Sequence, residues 1–183
     1  MEGAGILAGI SALRSGGGKI FWASNTDKLQ RPPELIHIDP TIDSIKAAID
    51  KNMSTAIIGP GLGRNFDKEI EFLWNSKFNI ILDADGLDWL SRKKPKKRAA
   101  AWVGTPHIGE MQKLLKDDFS DKWSNITKLK KHYGGDWILK GPGTLVSEDS
   151  KIWLNLYSNG WLGTAGMGAV SYTHLTLPTS FLV

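Results

Sequence analysis

The chain has 183 residues, of which 41% are hydrophobic and 23% are charged, and this composition is typical of one globular domain with its own core. It contains no cysteine, which excludes disulfide bonds and thiolate metal sites. The formal net charge is +4, and much of it lies in the basic run 92–98, which has no interleaved aromatic residue and is interpreted as a solvated loop rather than a nucleic-acid surface.

Helices and strands are predicted to alternate along the chain. A helix over 3–13 is followed by strands over 19–23 and 35–38, a helix over 41–52, a strand over 55–58, a helix over 66–75, a strand over 79–83 and a helix over 85–90. Next come a strand over 100–103, helices over 106–115 and 122–132, a strand over 137–140, and an antiparallel pair over 144–146 and 152–156. This alternation indicates βαβ units and an α/β fold with a mostly parallel sheet.

Four polar or glycine-rich loops follow strands of this predicted sheet. They span residues 59–63, 83–85, 105–110 and 140–144. In a parallel sheet the carboxyl ends of the strands share one edge, and ligands bind beyond that edge. We therefore expect the four loops to converge on a single site.

The loop 59–63 reads Gly-Pro-Gly-Leu-Gly and fits neither the dinucleotide-binding fingerprint nor the Walker phosphate loop. Its glycines allow the backbone to approach a ligand closely, although a tight turn between a strand and a helix explains them equally well. A second glycine-rich stretch lies at 160–168, and its successive backbone N–H groups could hold an anion.

Two carboxylates, Asp83 and Asp85, stand at the end of a predicted strand. Carboxylate oxygens suit Mg²⁺, so both residues are candidate ligands. Asp85 can equally cap the helix that follows, which leaves Asp83 as the better metal candidate.

His107 and Lys140 are the candidate cations of the site. His107 is expected in the first turn of a helix that Thr105 caps and Pro106 opens, with Glu110 on the same face. Such a histidine either faces a ligand or is structural, and this segment alone favours the structural role. Lys140 ends an apolar strand, where it suits contact with phosphates but also fits an exposed lysine at a turn.

Taken in order, these segments resemble the ADP- or ATP-dependent NAD(P)H-hydrate dehydratases of the ribokinase-like superfamily. The resemblance rests on residues 3–8, 12–16, 33–34, 59–63, 82–87, 105–111, 139–144 and 164–168. It implies a ribokinase-like three-layer α/β/α fold with a mostly parallel central sheet. It also implies a dehydratase domain over 1–168 without the family's first strand and C-terminal helices, so we expect an incomplete fold.

The resemblance implies a reaction that repairs nicotinamide nucleotides. ADP, or ATP, with Mg²⁺ phosphorylates the ring hydroxyl of hydrated NADH or NADPH, and loss of phosphate then restores the double bond. The form Thr-Pro-His-x-Gly-Glu at 105–110 resembles the bacterial branch, which favours ADP. Carried over by position, Ala4, Gly61 and His107 contact the substrate. The implied nucleotide contacts are Lys140, Gly141, Pro142, Gly143, Thr144 and Gly168.

One departure from the family concerns the general base. The family has an Asp directly after its glycine-rich segment, whereas Ala169 stands at that place here. Residues 169–183 match nothing in the family and are expected to be an unrelated tail of artefactual origin. Because general base catalysis is worth roughly 10²–10⁴-fold in rate, we expect this polypeptide to lack dehydratase activity.

Two alternative functions stay open: a small-alcohol kinase of the hydroxyethylthiazole kinase type, and a non-catalytic fragment that binds nucleotide or nothing. We expect a cytoplasmic protein without nucleic-acid or membrane partners, because the sequence shows neither a signal peptide nor an apolar stretch of roughly 18 residues. The resemblance also implies a homotetramer for the intact protein and leaves open whether an epimerase domain precedes this one.

Overall fold

The computed structural model describes residues 3–25, 30–49, 53–116 and 121–155, and the backbone of 180–182. The helices in this part of the chain are α1 (Gly3–Arg14), α2 (Ile42–Ile49), α3 (Asp67–Trp74), α4 (Ala84–Lys93), α5 (Ile108–Leu115) and α6 (Lys122–Tyr133). The strands are β1 (Lys19–Ala23), β2 (Leu35–Ile38), β3 (Thr55–Ile58), β4 (Asn79–Leu82), β5 (Trp102–Gly104), β6 (Asp136–Leu139), β7 (Leu145–Glu148), β8 (Lys151–Leu154) and β9 (Ser180–Leu182).

All of these strands belong to one sheet in the order β2-β1-β9-β3-β4-β5-β6-β7-β8. The pairs from β2 to β6 are parallel, and β7 and β8 add an antiparallel edge. The predicted α/β class and the predicted antiparallel pair are therefore confirmed. None of the described helices is long and apolar enough to cross a membrane.

Helix α4 extends to Lys93, three residues beyond its predicted end at residue 90. The last turn is stabilised because Arg92 and Lys93 both reach Asp67, and cations are favoured at a helix C-terminus. Lys94 then adopts a left-handed conformation with φ of +46° and ends the helix. The basic run thus begins inside a helix and is not a loop throughout.

The core lies on both faces of the sheet because side chains alternate along each strand. Ile57 and Ile81 point to the face that α1 covers. Ile58 and Leu82, one residue further along, point to the face that carries α2 to α6. Helices thus flank the sheet on both sides. Of the described helices, α1 covers one face and α2 to α6 cover the other.

Strand β9 comes from the segment that is expected to be an unrelated tail. Its three residues pair in parallel with β1, from Lys19 with Ser180 onward, and with β3, from Thr55 with Phe181 onward. It joins the β1–β2 pair to the rest of the sheet in the described part of the chain. The domain boundary after residue 168 stays a prediction, but residues 180–182 have a place in the sheet.

Candidate functional site

The four predicted loops lie at the carboxyl edge of the sheet and are joined to one another through the backbone. Three N–H groups donate to carbonyl oxygens of the preceding strand or loop: Asp83 to Ile58 at 3.1 Å, Thr105 to Leu82 at 3.0 Å and Lys140 to Pro106 at 2.9 Å. The expectation that the loops converge is therefore confirmed.

The glycines of loop 59–63 have different reasons to be glycine. At Gly59, φ is +120° and a Cβ would lie only 1.8 Å from the carbonyl oxygen of Asp83, so packing alone demands glycine there. Gly61, with φ of +69°, instead lines a cavity. Packing thus explains Gly59, whereas the approach of a ligand at Gly61 stays a prediction.

That cavity lies between the start of α1 and loop 59–63. Its lining includes Gly5, Trp22 and Gly61. The close approach of α1 needs a glycine, because a Cβ on Gly5 would lie 2.8 Å from the indole nitrogen of Trp22. Ala4, the other predicted substrate contact from the first half of the chain, is half-buried and directly precedes Gly5, but it is not itself part of the lining of this cavity.

His107 is the N-cap of α5, not a residue of its first turn. Its Nδ1 accepts hydrogen bonds from the N–H groups of Gly109 at 3.0 Å and Glu110 at 3.3 Å, and the Glu110 carboxylate accepts from the His107 N–H at 2.8 Å. The prediction that Thr105 caps the helix and Pro106 opens it is wrong. The reason is that extended backbone continues through His107, which forms a parallel bridge with Lys140.

The other imidazole nitrogen of His107 takes no part in the cap and lies 3.7 Å from a carboxylate oxygen of Glu110. Because Nδ1 accepts two bonds, the proton of the neutral ring belongs on Nε2. The side chain is 61% exposed and lines a second cavity together with Arg64, Asp85 and Lys113. His107 can therefore serve as a cap and donate to a ligand at the same time.

Asp83 is buried and already paired. Its Oδ1 accepts from the ammonium of Lys140 at 2.7 Å and from the hydroxyl of Thr105 at 2.9 Å. The described residues contain no group of three or more His, Asp or Glu side chains placed to hold a metal ion. In this arrangement Asp83 acts as the partner of Lys140, and direct metal ligation by its Oδ1 would require Lys140 to move.

Asp85 does not cap the helix that follows it. The N-cap position of α4 is Asp83, which makes no side-chain capping bond, so the capping interpretation of Asp85 is wrong. The Oδ2 of Asp85 instead accepts the N–H of Gly63 at 2.8 Å. Asp85 thus ties α4 to loop 59–63.

Loop 140–144 is held from several sides. Gly141 and Gly143 have φ of +139° and +63°, and the hydroxyl of Thr144 donates to the Gly141 carbonyl at 2.9 Å. The ammonium of Lys122 donates to the carbonyl oxygens of Pro142 and Gly143. Sequence reasoning missed Lys122. The available signal was a lysine in the first turn of a helix, where the dipole disfavours a cation unless it has another task.

Two residues of the predicted site, Gly168 and Ala169, lie outside the described residues. The structure brings together the others near the edge formed by the four loops. Gly61 and His107 line two cavities there, and Lys140 lies between Asp83 and the backbone of Pro106.

The fold and its strand-end loops define a ribokinase-like α/β protein. A ribokinase-like superfamily protein from Enterococcus faecalis has the same fold, with a TM-score of 0.81 at 20% identity over 93% of this chain and 64% of that chain. The sequence model of the NAD(P)H-hydrate dehydratase family matches residues 1–171, and the chain belongs to that family.

Named relatives agree with this assignment. The ADP-dependent (S)-NAD(P)H-hydrate dehydratase of Listeria monocytogenes is 32% identical over 91% of this chain and 63% of its own length. The bifunctional NAD(P)H-hydrate repair enzyme of Coxiella burnetii is 30% identical over 93% of this chain, which spans 37% of that protein. The Bacillus subtilis ADP/ATP-dependent NAD(P)H-hydrate dehydratase, co-crystallised with ATP/Mg²⁺, gives a TM-score of 0.74 at 26% identity over 94% of this chain and 67% of that chain.

Proposed function

We propose that this chain is part of an enzyme for the ADP-dependent dehydration of NAD(P)H hydrate. The hydroxyl oxygen of the substrate takes the terminal phosphoryl group of ADP, AMP leaves, and loss of phosphate then restores the ring double bond. One observation supports this proposal above all. Loops 59–63, 105–110 and 140–144 lie along the same edge of the sheet, where backbone hydrogen bonds join neighbouring segments. Phosphoryl transfer depends chiefly on holding two reactants in line, which such an edge can do.

We assign the substrate and the nucleotide to different loops of this edge on the basis of the contacts that each loop makes. Ala4, Gly61 and His107 bind the hydrated dinucleotide, because they line or adjoin the two cavities. Loop 140–144 and Gly168 bind the nucleotide. Lys140, whose ammonium also pairs with Asp83, supplies the positive charge there, and Gly141 has no side chain to keep phosphate oxygens from the backbone.

Magnesium belongs to this proposal as a partner of the nucleotide. The described residues offer no group of three carboxylate or imidazole ligands, and the Oδ1 of Asp83 is taken up by Lys140 and Thr105. The residues that the structure describes therefore do not form a protein cage for Mg²⁺. Mg²⁺ would arrive bound to the phosphates of ADP, where it would offset part of their negative charge and keep its remaining coordinated waters.

Whether this polypeptide catalyses the reaction depends on the residue at the position of the general base. Ala169 has no group that accepts a proton, so we propose that the chain binds ADP and dinucleotide without dehydrating the hydrate. A non-catalytic nucleotide-binding fragment is the second candidate function, and Ala169 is the observation that favours it. A cytoplasmic location and a homotetramer go with the intact enzyme of this proposal, which stays open as to whether an epimerase domain precedes this one.

Introducing an Asp at residue 169 tests both the proposed reaction and the proposed loss of activity. NADH recovery from hydrated NADH with ADP and Mg²⁺ is followed by absorbance for the chain and for Ala169→Asp, after both have been shown to be folded by circular dichroism. We expect a gain of roughly 10²–10⁴-fold in the variant and none in the matched control Ala169→Asn. Equal turnover by the unchanged chain would contradict the role of residue 169, and phosphorylation of small alcohols alone would favour the kinase alternative.

A further inference from the structure

Asp83 and Asp85 hold two different loops of the site. Asp83 accepts the ammonium of Lys140 at 2.7 Å, which belongs to the proposed nucleotide loop. Asp85 accepts the N–H of Gly63 at 2.8 Å, which ends the proposed substrate loop. The two carboxylates are separated by one residue, yet they serve loops that lie on opposite sides of them in the sheet.

The backbone between them accounts for this division. Ala84 has φ of +43°, a left-handed conformation that is uncommon for a residue with a side chain. Asp83 before it is extended, and α4 begins at Ala84 itself. The turn at Ala84 therefore sends the carboxylate of Asp83 toward β6 and leaves Asp85 on the helix beside loop 59–63.

Resting on the proposed function, we propose that Asp83 and Asp85 are positioning residues that brace the nucleotide loop 140–144 and the substrate loop 59–63 from one short segment. Asp83 acts through Lys140, and Asp85, whose side chain also lines the cavity beside His107, braces through its bond to Gly63. Asp83 fixes Lys140, the cation of the nucleotide loop, and Asp85 fixes the last glycine of the substrate loop. The segment 83–85 thereby sets the distance between the two bound molecules.

Segment 83–85 is held in place by its own backbone hydrogen bonds and packing, which its bracing role requires. The N–H of Asp83 donates to the carbonyl oxygen of Ile58 at 3.1 Å, and the N–H of Gly86 donates to the carbonyl of Asp83 at 2.8 Å. Its packing against the end of β3 leaves no room for adjustment, because a Cβ on Gly86 would lie 2.5 Å from the carbonyl oxygen of Ile58. A carboxylate on such a segment transmits a defined position to its partner.

Amide hydrogen exchange measured by NMR on the free protein tests the brace without any ligand. For Asp85→Asn we expect the Gly63 amide to exchange about 10-fold faster or more, with the Lys140 amide unchanged. For Asp83→Asn we expect the reverse, because the Lys140 N–H is bonded to Pro106 only while its loop is in place. Asp83→Glu, which keeps the charge but shifts it, serves if Asp83→Asn does not fold. The brace is wrong if the two amides respond together.

Calorimetry then separates positioning from other roles, with ADP plus Mg²⁺ and NADPH as the probes. We expect Asp83→Asn to weaken ADP binding by about 10-fold and leave NADPH binding unchanged, and Asp85→Asn to do the opposite. The matched control is Asp67→Asn, which loses ion pairs with Arg92 and Lys93 away from both loops and should alter neither affinity.

Other outcomes would overturn the inference. If Asp83→Asn abolishes the Mg²⁺ dependence of ADP binding and leaves Lys140 exchange unaltered, Asp83 is a metal ligand. If both variants lower both affinities in proportion to a loss of thermal stability, the segment is only structural. If the unchanged chain binds neither probe, the proposed function fails, while the exchange experiment still decides whether the segment braces the two loops.

Discussion

The guanidinium of Arg98 lies 2.6 Å from the carbonyl oxygen of Trp74, the last residue of α3, and its carbon lies 5.4 Å from the centre of the Trp74 ring. The same side chain donates to the carbonyl oxygens of Leu73, Ser76, Phe78 and Ala100. Arg98 thus binds carbonyls at the end of α3 and ties them to the backbone on either side of β4. The basic run that was interpreted as a solvated loop is, at this residue, a structural tie.

Replacing Arg98 should therefore destabilise the fold. We expect Arg98→Ala to lower the free energy of unfolding by about 2–3 kcal/mol, because several carbonyls lose a charged donor. Arg98→Lys should recover only part of this, since an ammonium lacks the planar fork that reaches several acceptors. Urea denaturation measures the effect. Lys77→Ala, an exposed lysine of the same region, is the control and should change stability by less than about 0.5 kcal/mol.

Asp67 makes the free energy of unfolding depend on pH under acidic conditions. Hydrogen bonds from Arg92 and then Lys93 lower its pKa from 3.8 to about 2. A carboxylate whose pKa is lower in the folded state stabilises the protein above its unfolded pKa, and this contribution is lost as the pH falls from about 4 to about 2. The pair is largely exposed, so the loss should be small and should shrink further in high salt.

An NMR titration of the Asp67 carboxyl carbon checks this prediction. Arg92→Gln should raise the pKa toward its ordinary value, because Arg92 makes the largest contribution to lowering it. Lys93→Gln should have a smaller effect in the same direction. A midpoint near 4 in the unchanged chain would mean that the ion pairs do not persist in solution.

Much of the fold was predictable because its signals are local. The apolar run Ile80-Ile81-Leu82 depends only on neighbouring residues, and so does the order of helices and strands. The end of α4 was placed too early, because contacts of Arg92 and Lys93 with the distant Asp67 stabilise its last turn. The pair between Asp83 and Lys140 was not predictable, because 57 residues separate the partners. The start of α5 was misplaced since the bridge between His107 and Lys140 is a tertiary contact that overrides the favourable Thr-Pro start.

His107 is expected to have separable structural and binding roles. His107→Ala removes the acceptor for the N–H groups of Gly109 and Glu110 and should cost about 1 kcal/mol of stability. His107→Asn keeps a good N-cap and should stay within about 0.5 kcal/mol of the unchanged chain. Both variants should weaken NADPH binding if Nε2 donates to the ligand. Thermal denaturation and calorimetry together distinguish these effects, and unchanged affinity in both variants would restrict His107 to capping.

Ala84 should tolerate only small replacements. Its φ of +43° is accessible to glycine without strain, so Ala84→Gly should be nearly neutral in stability. A β-branched residue is strongly disfavoured in this region, and Ala84→Val should cost more than about 1 kcal/mol. Chemical denaturation of the two variants provides the comparison. A valine variant as stable as the glycine variant would mean that the left-handed turn at residue 84 relaxes in solution.

Gly59 and Gly63 offer a matched comparison within one loop, since both have positive φ and only one is crowded. A Cβ at Gly59 would lie 1.8 Å from the carbonyl oxygen of Asp83, whereas a Cβ at Gly63 would meet nothing within 4 Å. Gly63→Ala should therefore cost about 1–2 kcal/mol, the strain of a left-handed residue alone. Gly59→Ala adds a backbone clash and should cost about 3 kcal/mol or more. Urea denaturation of both variants measures these costs. Similar losses of stability in the two variants would show that β3 and α4 can move apart. Segment 83–85 would then lack the rigid support that its bracing role requires.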